Sequence, residues 1–179
     1  TMVRAAERIG LIKLHWTATI VPSVATFDVH RTYHNHKSLI SMHLYIPPSL
    51  RETCANDANR QKWLGELPRR IGDVVSRWEL SDLEAVPEFG HASWVGFCRQ
   101  KDGQPAVLKI SLPHFEAEHE AVVLQRLAGN PTVQLLASDP QQGILLLEKC
   151  EPGTPLSKSP ESEQDPVVAA LLNRFWNAE

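Results

Sequence analysis

The sequence predicts an α+β fold, in which five antiparallel strands form one sheet, a single helix is inserted between the third and fourth strands, and helices precede the first strand. Three observations lead to this prediction. Short β-prone runs separated by turn residues follow Leu80, a helical apolar repeat interrupts them over residues 113–128, and another precedes them at Ile71, Val74, Val75 and Trp78. Consecutive hairpins make the antiparallel order the simplest solution.

The composition is that of a globular protein and argues against several classes of partner. The chain has 179 residues, 42% of them hydrophobic, and a formal net charge of −3. Without a long basic run it has no electrostatic basis for binding nucleic acid. The most apolar stretch, residues 10–27, is interrupted by Lys13, His15 and Pro22, so no membrane span is predicted. Three widely spaced cysteines favour a cytoplasmic location.

Residues 1–41 differ in composition from the rest of the chain, with five Lys/Arg against two Asp/Glu. We interpret them as an N-terminal extension. Residues 42–78 are expected to form an anchoring segment, extended over residues 45–50 because each proline restricts the residue before it. Regular structure is expected from about Asn59, as two helices separated at Pro68.

Residues 79–150 contain the predicted sheet. Its first three strands are expected over residues 80–86, 94–100 and 105–112, and Asp102-Gly103 is typical of a hairpin turn between the last two. The helix over residues 113–128 begins with proline and ends at Gly129-Asn130-Pro131. Two further strands are predicted at residues 132–138 and 143–149. The final segment, residues 151–179, divides into a Pro/Ser-rich acidic linker at 151–165 and a helix at 166–176.

Lys109 is the candidate residue that strand geometry picks out. Alternation in the third strand places Val107, Lys109 and Ser111 on one face of the sheet and their neighbours on the other. An ammonium group on that face can meet phosphate oxygens while Val107 offers an apolar floor to a purine ring. The alternative is a solvent-facing lysine on a two-stranded ribbon.

Several motifs are distributed over residues 42–176. They are Trp63-Leu64, Gly90-His91-Ala92-Ser93-Trp94-Val95, Ala106-Val107-Leu108-Lys109, Pro113-His114-Phe115-Glu116-Ala117-Glu118-His119-Glu120-Ala121, and Leu145-Leu146-Leu147-Glu148-Lys149 continuing to Pro152-Gly153-Thr154-Pro155-Leu156. Taken together, these motifs resemble the aminoglycoside and hydroxyurea antibiotic resistance kinases, and within them the streptomycin phosphotransferases.

This resemblance implies the N-terminal lobe of the protein-kinase-like fold, with ATP and Mg²⁺ as cofactors. Lys109 matches the lysine that holds the nucleotide phosphates, and Glu120 matches its helix partner. Glu116 and Glu118 are alternatives by position, and the match of His119-Glu120-Ala121 favours Glu120. Gly90 and Ser93 lie in the loop that would border the phosphates. Glu148 to Cys150 resemble the hinge, where backbone groups pair with adenine.

The resemblance also implies parts that this sequence does not show. A family member has a His-Gly-Asp type catalytic loop and an Ile-Asp type metal-binding segment in its second lobe, and no His-x-Asp follows Leu145. We therefore expect a truncated form with the second lobe missing or only begun, and with no catalytic or metal-binding residue of its own. An aminoglycoside-like substrate is expected only if that lobe is present. Self-association is expected through an exposed lobe interface, formed by parts of 145–147 and by Val168, Leu171, Leu172 and Phe175.

Two alternative functions are retained. The chain can be a noncatalytic interaction module derived from a kinase lobe. It can also be a metal-binding protein that uses N-terminal histidines, since His30, His34 and His36 are closely spaced. Asp28 is the only nearby carboxylate or thiol for such a site, so solvated loop histidines are the favoured interpretation of this cluster.

Overall fold

A computed structural model describes residues 44–86 and 91–177, which form four α-helices and five β-strands. The helices are α1 (Pro48–Cys54), α2 (Ala58–Arg77), α3 (Phe115–Leu127) and α4 (Glu161–Trp176). The strands are β1 (Ser81–Ala85), β2 (Ser93–Arg99), β3 (Pro105–Ser111), β4 (Leu135–Asp139) and β5 (Ile144–Glu148). The predicted α+β class is confirmed. None of the described helices is both long and apolar enough to span a membrane.

The five strands form one antiparallel sheet in the order β1-β2-β3-β5-β4. The predicted hairpin between β2 and β3 is confirmed. Its turn requires a positive φ at Gly103, where φ is 82°, a conformation that glycine adopts without steric cost. The backbone N–H of Gln104 donates to Asp102 Oδ1 at 3.0 Å, so the aspartate side chain stabilises the same turn.

Helices α1 and α2 cover one face of the sheet, which we call the helix-covered face. Ala106, Leu108 and Ile110 of β3 lie there, in one apolar core with residues of both helices. Trp94 of β2 is fully buried in this core, and its indole N–H donates to the Tyr45 carbonyl at 3.0 Å. The described residues before α1 are therefore anchored to the sheet, although their backbone does not form a strand.

Helix α2 is continuous through Pro68, so the prediction of two helices separated there is wrong. Proline inside a helix costs about 3 kcal/mol, because it removes one hydrogen bond and crowds the preceding turn. One face of the helix is apolar and buried, both before and after the proline. Its buried side chains are Trp63, Leu67, Ile71 and Val74. Burying each contributes about 1.5–3 kcal/mol, so packing outweighs the cost.

The prediction that residues 45–50 are wholly extended is also wrong, since α1 begins at Pro48 and regular structure starts well before Asn59. Within this segment, residues 45–47 lack helical structure and residues 48–50 are helical. Proline fits the first turn of a helix, where its missing N–H has no partner to lose. Leu50 and Cys54 then become buried against the sheet, one helical turn apart.

Helix α3 covers part of the opposite face of the sheet, which we call the Lys109 face. Ala121 and Leu124 pack there against Val133, Leu145 and Leu147. The expectation that parts of 145–147 are exposed is wrong, because Leu145, Leu146 and Leu147 are at most 7% exposed. Strand β5 is therefore covered on both sides: Leu145 and Leu147 pack with residues of α3, and Leu146 packs in the core that contains α1 and α2.

The segment after β5 is more regular than the predicted linker. A 3-10 turn occupies Leu156–Lys158, and α4 begins at Glu161, five residues before the predicted start. Glu161 and Glu163 fall in its first turn, where carboxylates interact favourably with the helix dipole. Val168 packs on Leu156 and is buried, while Leu171, Leu172 and Phe175 remain partly exposed. The apolar stripe of the last helix is therefore covered in part by its own chain.

Candidate functional site

Strand β3 places Lys109 and Val107 on the same face of the sheet. Buried and partly buried residues alternate strictly along the strand up to Ile110, as expected for a strand with a different environment on each side. In the antiparallel register Lys109 lies between Val95 of β2 and Leu145 of β5. Lys109 thus lies on the central strand of the sheet, with apolar side chains on both neighbouring strands.

Helix α3 brings Glu120 to this lysine. The helix begins after His114, whose Nδ1 accepts the backbone N–H of Ala117 at 3.2 Å and so caps the first turn. Ala117, Ala121 and Leu124 are buried on its sheet side, and Glu120 lies next to them. The helical period therefore directs this carboxylate, rather than the exposed Glu118, toward the sheet.

Lys109 and Glu120 form an ion pair that is largely buried. Lys109 Nζ donates to Glu120 Oε1 at 2.5 Å, and their side chains are 15% and 7% exposed. The predicted pairing of these two residues is present. A carboxylate in this position fixes the lysine rotamer, so that the cation is held on the sheet face without a ligand.

Ser93 is a further predicted site residue on the Lys109 face. It lies two residue pairs beyond Val95 and Lys109, opposite Ser111, and the two hydroxyl oxygens are 3.1 Å apart. A hydroxyl on the same face of the sheet as the ammonium group offers a second donor to an anion that spans the two positions. Gly90, predicted in the same loop, lies outside the described residues.

The two hinge residues differ in their surroundings. The side chain of Glu148 turns toward β4, where its Oε1 accepts the backbone N–H of Gln134 at 2.9 Å, and the backbone N–H of Glu148 donates to the Gln134 carbonyl at 3.0 Å. The Glu148 carboxylate is therefore occupied within the sheet. Cys150 packs against the buried apolar cluster of the Lys109 face, as does Val107.

A cavity of about 500 Å³ lies beside the hinge, between the α3–β4 loop and α4. Cys150 and Glu151 line it together with Pro131, Leu171 and Arg174. Lys109, Glu120 and Val107 do not, so this cavity is separate from the Lys109 face.

Two residues on the Lys109 face were missed by sequence reasoning. Lys149 Nζ lies 4.7 Å from the centroid of the Phe97 ring, a cation–π contact. Phe97 faces Val107 across β2 and β3. Strand alternation was the signal that could have found them, since Phe97 is two residues from Val95 and Lys149 two from Leu147.

Residues 44–86 and 91–177 contain no group of three His, Cys, Asp or Glu side chains that could hold a metal ion. The only carboxylate described beside Lys109 is engaged by it. The arrangement therefore does not fit a magnesium site formed by these residues alone. His30, His34 and His36, the candidate N-terminal metal ligands, lie outside the described residues.

Comparison with known proteins gives one family and several relatives. The family model for aminoglycoside/hydroxyurea antibiotic resistance kinases matches residues 77–179. A streptomycin 6-kinase of Streptomyces griseus is 31% identical over 75% of this chain and 45% of its own length. A hydroxyurea phosphotransferase of Kitasatospora aureofaciens is 34% identical over 61% of this chain and 33% of its own.

The chain thus spans less than half the length of these curated relatives, and a second streptomycin 6-kinase, from Streptomyces glaucescens, is matched over 38% of its length. No solved structure matches. The matched region contains the whole sheet, α3 with Glu120, and α4. Because the family model covers more than half of the chain, the chain belongs to the aminoglycoside/hydroxyurea antibiotic resistance kinase family.

Proposed function

We propose that this chain forms the ATP-binding side of a phosphotransferase that acts on an alcohol group of an aminoglycoside-like small molecule. The observation that carries the proposal is the buried Lys109–Glu120 pair, held on an apolar sheet face in a chain of a kinase family. The names of the relatives contain streptomycin and hydroxyurea, and these two compounds indicate the class of acceptor.

Each predicted residue has a role in this proposal. Lys109 contacts phosphate oxygens as a point charge, and Glu120 positions it. Val107 supports one face of the base. Ser93 and Gly90 border the phosphates, and backbone groups between Glu148 and Cys150 pair with the edge of the adenine.

Phosphoryl transfer needs more than these residues, because it depends on neutralising charge and on positioning the acceptor hydroxyl. Mg²⁺ supplies part of that neutralisation when it is bound, and the described residues offer no acidic cluster for it. We assign the magnesium ligands and the acceptor carboxylate to the second lobe of the kinase fold. For the 179-residue chain we therefore expect nucleotide binding without phosphate transfer.

We place the protein in the cytoplasm. Cys54, Cys98 and Cys150 form no disulfide, and Cys54 and Cys98 are buried in different elements. Free thiols are typical of proteins in a reducing compartment.

Calorimetric titration of the 179-residue chain with ATP, with and without magnesium, tests the proposal. The informative variant is Lys109→Met combined with Glu120→Leu, because it removes the cation without leaving a buried carboxylate alone. Losing a charge-assisted contact to phosphate is expected to lower ATP affinity about 10- to 100-fold. Lys62→Ala is the matched control, since Lys62 is an exposed residue of α2, which packs on the other sheet face.

Two results would contradict the proposal. Equal ATP affinity in the wild type and the double variant would remove Lys109 from the site, and no ATP binding by the wild type would favour a noncatalytic interaction module. A coupled assay of ADP release with streptomycin, after removal of contaminating kinases, tests the second part. Turnover would show that the chain itself supplies the acceptor and metal groups.

A further inference from the structure

Lys149 occupies an unusual position on the Lys109 face. Leu145, Leu147 and Lys149 are two residues apart, so they alternate onto the same side of β5 and its continuation. No carboxylate is within ion-pair distance of Lys149 in the described part of the chain, and the partner that the structure gives it is the ring of Phe97. The position of this cation is therefore set by an aromatic ring rather than by an acid.

The register of the sheet shows where this contact lies. Phe97 of β2 pairs with Val107 of β3, and Val107 pairs with Leu147 of β5, so β3 separates the two partners. Two interstrand spacings amount to about 10 Å. Lys149 follows Leu147 by two residues, toward the Pro105 end of β3, so its side chain must reach diagonally across β3 to bring the ammonium group within 4.7 Å of the ring centroid. The strand beneath them carries Val107.

We infer that Lys149 is a movable cover on the base-binding part of the nucleotide site: it rests across β3 on Phe97, and a purine base must displace it to reach Val107. The inference rests on the proposed ATP site. A base stacked on Val107 and the Lys149–Phe97 contact would occupy the same apolar surface, so the two are mutually exclusive.

This arrangement makes Lys149 a residue that sets nucleotide affinity without contacting the phosphates. Lys109 lies two residues along β3 from Val107, and Lys149 lies on the opposite side of Val107 from Lys109 in the register. Lys149 thus belongs to the base end of the site. Its contact with Phe97 must be broken for each binding event, so the apparent affinity is the intrinsic affinity multiplied by the fraction of chains in the uncovered state.

Adenosine is the suitable probe, because it has no phosphate and its binding is insensitive to the loss of one positive charge. Lys149→Ala removes the cover, and we expect adenosine to bind about two- to fivefold more tightly, which corresponds to the lower end of the cation–π range for a partly exposed contact. Lys149→Arg keeps the cation over the ring, so its affinity should equal that of the wild type or be lower. Lys62→Ala again serves as the control for charge and is expected to change nothing.

A second variant distinguishes loss of the Lys149–Phe97 contact from the extra space that any truncation of Lys149 would create. In a Phe97→Leu background the ammonium group has no ring to rest on, so the gain from Lys149→Ala should fall below about 1.5-fold. NMR titration measures these weak affinities. It also reports the contact itself, since the ε-methylene protons of Lys149 should be shifted upfield by the ring in the free chain and return downfield as adenosine is added.

The outcomes distinguish this inference from the proposed function. If neither ATP nor adenosine binds the wild type, the proposed nucleotide site fails. If both bind and Lys149→Ala leaves adenosine affinity unchanged or weakens it, the nucleotide site stands and the cover is wrong. A weaker affinity in that variant would assign Lys149 to direct contact with the bound base.

Discussion

Lys109 and Glu120 are eleven residues apart in the chain, and their ammonium nitrogen and carboxylate oxygen are 2.5 Å apart in the structure. A strand and the helix that follows it meet at this contact, which lies on the side of the sheet away from α1 and α2. Both side chains are largely removed from water. The pair therefore connects the stability of the fold to the geometry of the candidate site.

Removing one partner should destabilise the chain more than removing both. In Lys109→Met the Glu120 carboxylate remains buried without its cation, so we expect the free energy of unfolding to fall by about 3 kcal/mol. The double variant Lys109→Met/Glu120→Leu should recover most of that loss, because apolar side chains of similar volume replace the pair. Urea unfolding of the wild type, both single variants and the double variant measures the coupling.

Simple additivity of the two single effects would contradict this prediction. It would mean that water or another group compensates each charge separately, and that the pair has no energetic link between β3 and α3.

Gly96 is expected to be the least replaceable glycine among those with a close neighbour. A Cβ atom at this position would lie 2.5 Å from Cη2 of the buried Trp94 ring and 3.2 Å from the Glu84 carbonyl oxygen. Neither can move freely, so Gly96→Ala should lower the free energy of unfolding by about 1–3 kcal/mol. Gly65 in α2 has nothing within 4 Å of its Cβ position. Gly65→Ala should raise stability by about 0.5–1 kcal/mol.

Thermal unfolding of the two alanine variants compares the same chemical change at a crowded and an open position. Equal melting temperatures would show that the Trp94 ring can shift to admit a methyl group.

The sheet could be predicted because its signals are local. Alternation in β3, the Asp102-Gly103 turn and the helical repeat of α3 each lie within a few residues, and all three are present in the structure. The pairing of Lys109 with Glu120 came from the family resemblance of their motifs, and strand and helix periodicity were consistent with it. These features need no knowledge of distant contacts.

The helix boundaries near prolines could not be predicted in the same way. Pro68 and Pro166 both lie inside helices, and each was interpreted as a break or a start. A proline's local cost is visible in the sequence, whereas the burial that outweighs it depends on which surface the helix packs against. The Phe97–Lys149 contact was missed for a similar reason, because it joins β2 and the end of β5, two strands that are separated by β3 in the sheet.

Burial raises the pKa of the Cys98 thiol to about 11 from an ordinary value of 9.0, partly offset by a hydrogen bond with the backbone of Leu108. The folded chain thus favours the neutral thiol. The resulting stabilisation is fully present below pH 9 and is lost as the pH rises toward about 11. We expect about 2 kcal/mol of stability to be lost over that window from this group. Unfolding in urea at pH 8, 9, 10 and 11 should show the decline, and Cys98→Ala should flatten it even though its stability at pH 8 is lower.

Thiol labelling should distinguish Cys150 from the other two cysteines. Cys54 and Cys98 are at most 4% exposed, and burial raises the pKa of both thiols, so at pH 8 they provide little of the reactive thiolate. Cys150 is partly exposed at the edge of the cavity beside the hinge. We expect one thiol per chain to react rapidly with a disulfide reagent, and the remaining two to react only after unfolding in urea. Cys150→Ser should abolish the rapid phase and leave the slow one unchanged. A rapid phase that persists in this variant would mean that the core around Cys54 or Cys98 opens readily, in conflict with the burial of Trp94 and Leu50 around them.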